Sequence, residues 1–156
     1  FNGAFMELTT GEMPLIMFDK NKILHWGNAD VLMDFTHTCN VATYTAKTAL
    51  DDDAPRYLKI AGERISPTQL ASLMSKLTNK NFKLFRPGGI GLFNFVIGLA
   101  KFFSPSKNVL YPAWQGMQYM RDMMGGRIDV VQNDNTRYRG IDWISLTHHL
   151  KNEGKV

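Results

Sequence analysis

Residues 34–62 read DFTHTCNVATYTAKTALDDDAPRYLKIAG, and this stretch decides the fold. From Thr38 to Leu50, small and apolar residues recur at helical spacing, and Thr38 or Asn40 could cap the helix. The predicted buried face consists of Val41, Ala42, Ala46, Ala49 and Leu50. Residues 56–61 form a short, mostly apolar segment that is followed by a glycine, and this pattern predicts a strand. A helix followed by a strand indicates an α/β protein.

The remaining segments predict short strands and four further helices. Ser66 is a natural N-cap, Pro67 suits the first helical position and Gln69 completes a capping box. The other predicted elements are a hairpin over 14–18 and 22–26, a strand over 81–85, and helices over about 92–103, 111–124 and 145–150. In the helix after residue 90, the predicted buried stripe is Leu92, Phe95, Val96, Leu99 and Phe103. The sequence therefore predicts about five helices.

The composition is that of an ordinary globular domain, with 44% hydrophobic and 21% charged residues in 156. The only cysteine, Cys39, excludes an intrachain disulfide, which favours a cytoplasmic protein. The most apolar segment, 88–100, is too short to cross a bilayer, which takes about 20 residues. The cations of the later sequence stand singly, as on a solvated surface. We expect neither a nucleic-acid nor a membrane partner, and the sequence leaves the oligomeric state open.

Two motifs that suggest ligand sites have simpler explanations. The glycines in residues 88–91 lack the third glycine of a dinucleotide fingerprint, because Asn94 stands there, so we interpret them as a strand-to-helix turn. His148 and His149 are adjacent, so their side chains diverge on a helix, and no acidic or thiol partner is spaced to join them. We expect a partly exposed pair and no metal site.

Three segments together resemble the NmrA-like family, the atypical short-chain dehydrogenases that include the isoflavone-reductase-like enzymes. In that family the pattern F-T-x-x-x-D-V-A-x-Y-T-A begins a helix that follows a loop beside the cofactor, and a strand reading L-x-I-A-G comes after the helix. Phe35 and the helix after it match the first pattern, residues 58–62 match the second, and residues 137–143 match the family's ending. Cys39 and Asn40 stand where the family usually has acidic or polar residues.

The resemblance implies the C-terminal, substrate-binding part of an NAD(P)-binding Rossmann-type fold. We expect residues 1–156 to form one such lobe. No strand, glycine-rich turn and helix of a dinucleotide site are found in the sequence. We therefore expect a fragment from which the N-terminal dinucleotide-binding part is absent, together with any catalytic Tyr or Lys of the family, and no catalytic residue in this chain.

The resemblance also implies a function and a set of site residues. The expected cofactor is NAD or NADP, bound mainly by the missing part, and the expected partner is a small apolar, aromatic or quinone-like substrate. The cofactor-binding candidates are Asn2, Gly3, Phe5 and His37. The substrate-binding candidates are Met6, Phe93, Tyr111, Trp114 and Met117. Two alternatives stay open: a non-catalytic NAD(P)-binding redox sensor, and a stand-alone interaction module with Phe93, Phe95, Phe102 and Phe103 exposed on a helix.

Overall fold

The computed structural model describes residues 1–11, 15–103, 112–127 and 132–156. These residues contain six short strands and five α-helices. The strands are β1 (Ala4–Phe5), β2 (Ile16–Met17), β3 (Lys22–Leu24), β4 (Met33–Thr36), β5 (Glu63–Ile65) and β6 (Lys83–Phe85). The helices are α1 (Thr38–Thr48), α2 (Pro67–Thr78), α3 (Ile90–Phe103), α4 (Ala113–Met124) and α5 (Leu146–Asn152). Within the described ranges, every helix is too short or too polar to cross a membrane.

The strands form two small sheets. In the first, β4 lies between β1 and β5, with β1 parallel and β5 antiparallel to it. In the second, β3 lies between β2 and β6, with β2 antiparallel and β6 parallel to it. The predicted hairpin is therefore confirmed over β2 and β3, and Asn21 adopts a left-handed conformation, φ 49°, at its turn. Residue 14 of the predicted hairpin lies outside the described residues.

Helix α2 follows its local sequence signals. The Ser66 hydroxyl accepts a hydrogen bond from the Gln69 backbone N–H at 3.2 Å, and the Gln69 side chain accepts one from the Ser66 N–H at 2.9 Å. The helix ends at Asn79, which has φ 53°. Ser145 caps α5 in the same way, by accepting from the backbone N–H of His148. Both predicted helix starts are confirmed.

Helix α1 buries a face that the sequence did not predict. Its N-cap is His37, whose Nδ1 accepts from the Cys39 N–H, rather than Thr38 or Asn40. The buried positions are Asn40 and Tyr44, whereas most of the predicted apolar face is exposed. The reason is that α1 packs against the polar backbone of residues 134–144, so its inner face needs side chains that donate and accept hydrogen bonds.

Two further predictions are wrong: one concerns the position of a strand, and the other concerns the exposure of two histidines. Residues 56–61 do not form a strand: only an isolated bridge pairs Ile60 with Asn2, and the strand follows two residues later as β5. Side chains satisfy the backbone hydrogen bonds that a neighbouring strand would otherwise make. Asp134 accepts from the Lys59 N–H, and Asn135 bonds both the N–H and the carbonyl of Ala61. The predicted partly exposed histidine pair is also wrong, because His149 is buried and only its neighbour His148 is exposed.

Helix α3 also turns an unpredicted face inward. Phe93 and Ile97 are its buried residues, and the Phe93 ring stacks on Trp26 at 4.5 Å with 4° between the planes. Four of the five side chains predicted to be buried are instead exposed: Leu92, Phe95, Leu99 and Phe103. Because α3 is apolar all round, its periodicity could not tell the two faces apart.

Candidate functional site

A cavity of about 500 Å³ lies between the N-terminal segment, β4 and α4. Its wall is almost entirely apolar. The lining residues are Phe1, Asn2, Ala4, Phe5, Leu8, Thr9, Leu15, Phe35, Gly116, Tyr119, Met120 and Met123. This volume is within the range of small-molecule sites, and a wall of this kind suits a flat apolar ligand.

Helix α4 supplies one side of the cavity. Gly116, Tyr119, Met120 and Met123 recur at intervals of three and four residues, so they lie on one helix face. Met120 and Met123 are buried, and Tyr119 is partly exposed. Two flexible thioethers beside a phenol ring allow the wall to adapt to ligands of different outline.

The opposite side is built on a close backbone contact between the N-terminal segment and β4. A Cβ at Gly3 would lie 2.6 Å from the backbone carbonyl carbon of Asp34, so only glycine allows the two segments to approach this closely. β1 then continues parallel to β4, with Ala4 opposite Phe35. This contact directs Phe5 and Leu8 to the cavity wall.

Three polar side chains reach the cavity. The Thr9 hydroxyl donates to the Met6 carbonyl at 2.7 Å, and the Asn2 amide donates to the Gly3 carbonyl at 2.7 Å, so each side chain already bonds a nearby backbone carbonyl. Burial, and then the nearby charge of Asp34, raise the pKa of Tyr119, so its hydroxyl stays protonated. No described residue hydrogen-bonds that hydroxyl, which leaves it to donate to a ligand oxygen.

The cavity fits a neutral ring better than a phosphate. None of the described residues that line it has a charged side chain. The buried carboxylate of Asp34 pairs instead with Arg64, whose Nε lies 3.4 Å away. A pyrophosphate requires cations or a helix N-terminus, whereas a nicotinamide or substrate ring requires a flat apolar wall. The lining satisfies only the second requirement.

Asn2 and Phe5, two of the four cofactor candidates, line this cavity together. Gly3 adjoins it and carries the backbone contact with β4. The substrate candidate Met6 is fully buried beneath the same segment, with its methyl group 3.5 Å from where a Cβ of Gly62 would lie. The candidates of the N-terminal segment therefore divide between the cavity wall and the core.

His37, the fourth cofactor candidate, lies in a separate polar cluster. Its Nε2 is 3.7 Å from a carboxylate oxygen of Glu7, which also accepts from the hydroxyl and N–H of Thr38. The ring of buried His149 is 5.3 Å from the ring of His37. Burial lowers the pKa of His149, and the charge of Glu7 opposes this shift. Within the described residues, no group of acidic, His and Cys side chains is arranged to hold a metal.

The structure does not bring Phe93, Trp114 and Met117 to the cavity. Phe93 is buried on α3, and the ring centroid of Trp114 lies 5.0 Å from the Lys101 ammonium. Met117 packs against the core from another side of α4. Tyr111 lies outside the described residues. The face of α4 that lines the cavity runs from Gly116 to Met123. The spacing of its residues at three and four positions is the sequence pattern that could have predicted this face.

Comparison with known proteins shows the fold. No protein-family model matches the sequence, and no curated protein matches it. The chain is similar to the crystal structure of an isoflavone reductase, with a TM-score of 0.67, 13% identity, and coverage of 96% of this chain and 50% of that one. It is also similar to a nucleoside-diphosphate-sugar epimerase from Staphylococcus aureus, with a TM-score of 0.63, 14% identity and the same coverage, 96% and 50%.

These likenesses confirm the predicted fold class. The chain is a mixed α/β unit that matches the C-terminal half of isoflavone-reductase-like folds. It spans about half the length of the two solved structures, each covered to 50%. At 13% and 14% identity the comparison shows the fold alone and carries neither an activity nor a substrate to this chain.

Proposed function

We propose that this chain forms the substrate-binding portion of an NAD(P)-dependent oxidoreductase-like protein. Its ligand is a small apolar or aromatic molecule, quinone-like in shape, held in the cavity between the N-terminal segment and α4. The observation that carries the proposal is the lining itself: about 500 Å³ enclosed by aromatic, aliphatic and thioether side chains, with the Tyr119 hydroxyl at its edge.

The described side chains divide the work of binding. Phe5 and Leu8 are partly exposed, so they form the mouth, whereas Met120, Met123 and Phe35 are buried and form the floor. Tyr119 donates a hydrogen bond to a carbonyl oxygen of the ligand, and this bond orients a ring that the apolar wall would otherwise hold in several poses. The wall also excludes water from the reacting face of the ligand.

A nicotinamide cofactor, when bound, supplies the hydride, and the lining is compatible with its flat ring but not with its phosphates. We propose that this portion of the protein binds NAD or NADP only through the neighbourhood of Asn2 and Phe5, and that the remaining contacts are made elsewhere in the protein. The residues described here bind, orient and shield the substrate.

The first test asks whether the cavity binds a ligand at all. The probe is 2,3-dimethyl-1,4-naphthoquinone. Its methyl groups block the ring positions that react with thiols, which is necessary because Cys39 is an exposed free cysteine. We expect equilibrium dialysis to show binding to the 156-residue protein and a loss of at least tenfold in Leu8→Arg, which brings a charge to the mouth. Leu50→Arg, on the surface after α1, is the matched control. Equal binding by all three proteins would refute the cavity assignment.

The second test addresses the orienting hydroxyl. Removing one hydrogen bond costs about 0.5–1.5 kcal/mol, so Tyr119→Phe should bind the quinone roughly two- to tenfold more weakly. The same variant should bind 2,3-dimethylnaphthalene, which has no carbonyl, as tightly as the parent protein. Tyr138→Phe, which loses a hydroxyl beside Asp51, is the control.

A redox sensor and an oxidoreductase share this binding site and differ in turnover. NADPH oxidation by the full-length protein, measured across a panel of quinones and aromatic ketones, separates them. Consumption of NADPH that depends on the ligand supports the enzyme. Binding of both molecules without consumption supports the sensor.

A further inference from the structure

We propose that α3 docks this protein on the surface of an anionic lipid bilayer. Five large apolar side chains of α3 are exposed: Leu92, Phe95, Leu99, Phe102 and Phe103. We call them the outer face of α3. At 3.6 residues per turn they fall within an arc of about 100°. Phe95, Phe102 and Phe103 are exposed by 63%, 78% and 76%, so this arc is a continuous apolar surface.

The opposite side of the helix is anchored in the protein. Phe93 and Ile97 pack into the core, Phe93 stacks on Trp26, and Asn94 accepts a hydrogen bond from Arg121 of α4 at 3.3 Å. The helix is about 21 Å long at 1.5 Å per residue, and it therefore presents a rigid apolar ridge. Helices that bind at a membrane surface lie flat with one apolar face at the acyl boundary. A ridge of this kind binds at the bilayer surface and does not need to span the membrane.

The charge around the ridge selects an anionic partner. Between Glu63 and Asp122 the sequence contains eight Lys or Arg residues and no Asp or Glu, and two of the eight, Arg64 and Arg121, are paired with Asp34 and Asp122. Arg86 lies just before α3, with its Nη2 3.9 Å from where a Cβ of Gly89 would be, whereas Lys101 of the last turn lies over the Trp114 ring, away from the outer face. Lys83 is exposed on β6, the strand that precedes α3 in the sequence. Juxtamembrane cations each add about 1 kcal/mol on anionic lipid, which is about fivefold in affinity.

The same charges disfavour a second copy of the chain as the occupant. Two outer faces in contact would bring two acid-free, cationic segments together, and this repulsion opposes association. A nucleic acid would require cations along the contact line, and the outer face has only Phe and Leu there. An anionic bilayer satisfies both features, since its acyl boundary accepts the apolar side chains and its headgroups attract the cations.

The test is sedimentation of the 156-residue protein with vesicles. We expect binding to phosphatidylcholine vesicles with 30% phosphatidylserine at least tenfold tighter than to pure phosphatidylcholine, and weakened by salt. Phe95→Ser/Phe102→Ser should reduce the affinity at least tenfold. Leu50→Ser/Tyr57→Ser, which removes two other side chains exposed by 88% and 62%, should leave it unchanged. Circular dichroism verifies that each variant is folded.

A second pair of variants tests the charge without touching the apolar ridge. Lys83→Gln/Arg86→Gln should lower affinity for the anionic vesicles by roughly tenfold or more, whereas Lys47→Gln on α1 should not. Equal affinity for neutral and anionic vesicles, or no sedimentation with either, would overturn the proposal. Light scattering that shows a dimer dispersed by Phe95→Ser/Phe102→Ser, without vesicle binding, would assign the outer face to self-association instead.

Discussion

Asn40→Ala should be one of the most destabilising single substitutions on α1. Asn40 is buried, its amide donates to the Asp142 carbonyl at 2.7 Å, and its carbonyl oxygen accepts from the Ile144 N–H at 2.9 Å. Alanine removes both hydrogen bonds, and because the Asp142 and Ile144 groups are only partly buried, each bond is worth about 0.5–1.5 kcal/mol. We expect the free energy of unfolding to fall by about 2 kcal/mol, which lowers Tm by roughly 4–8 °C at this size.

Urea denaturation followed by circular dichroism measures this loss as a lower midpoint at an unchanged slope. Asn81→Ala, at an exposed position before β6, is the matched control and should change stability by less than about 0.5 kcal/mol. Asn40→Asp should also be destabilising, because a carboxylate cannot donate to the Asp142 carbonyl. A midpoint for Asn40→Ala that matches the parent protein would refute the view that these two bonds fasten α1 to the C-terminal tail.

Three further predictions concern stability. Burial lowers the pKa of His149 and of His25 below 6.5, so the unfolded chain binds more protons and stability should fall as pH drops from 7.5 to 5.5. Urea titrations at both pH values should show this loss reduced, not abolished, in His149→Gln. Ser66→Ala removes half of the α2 capping box and should cost about 1 kcal/mol by the same assay, whereas Ser72→Ala on the exposed face of α2 should cost less than about 0.5 kcal/mol. Phe93→Ala should cost about 3–5 kcal/mol, measured as a loss in Tm, and a loss equal to that of exposed Phe103→Ala would contradict its role in the core.

The correct sequence predictions are those that depend on local chemistry. The helix start at Ser66 needs only Pro67 and Gln69, which are neighbours in the chain, and the predicted hairpin turn needs only an Asn that tolerates positive φ. Both were found because no distant residue decides them.

The errors come from partners that are distant in sequence. The inner face of α1 depends on residues about 100 positions away, since Asn40 bonds Asp142 and Ile144. The inner face of α3 depends on Trp26, with which Phe93 stacks. Asn2 and Phe5, which the resemblance named as candidates, line the cavity, but the side of α4 that faces them depends on how the helix packs.

The tail that closes over α1 also constrains the order of events during protein synthesis. Tyr44 donates to the Asp134 carbonyl at 2.9 Å, and Asn40 bonds the Asp142 carbonyl, so α1 cannot acquire its native surroundings until residues 134–142 have left the ribosome. Contacts of such long sequence separation slow folding, and the nascent chain exposes apolar surface while it waits. A stop codon before residue 134 should therefore yield a product that requires chaperones or is degraded.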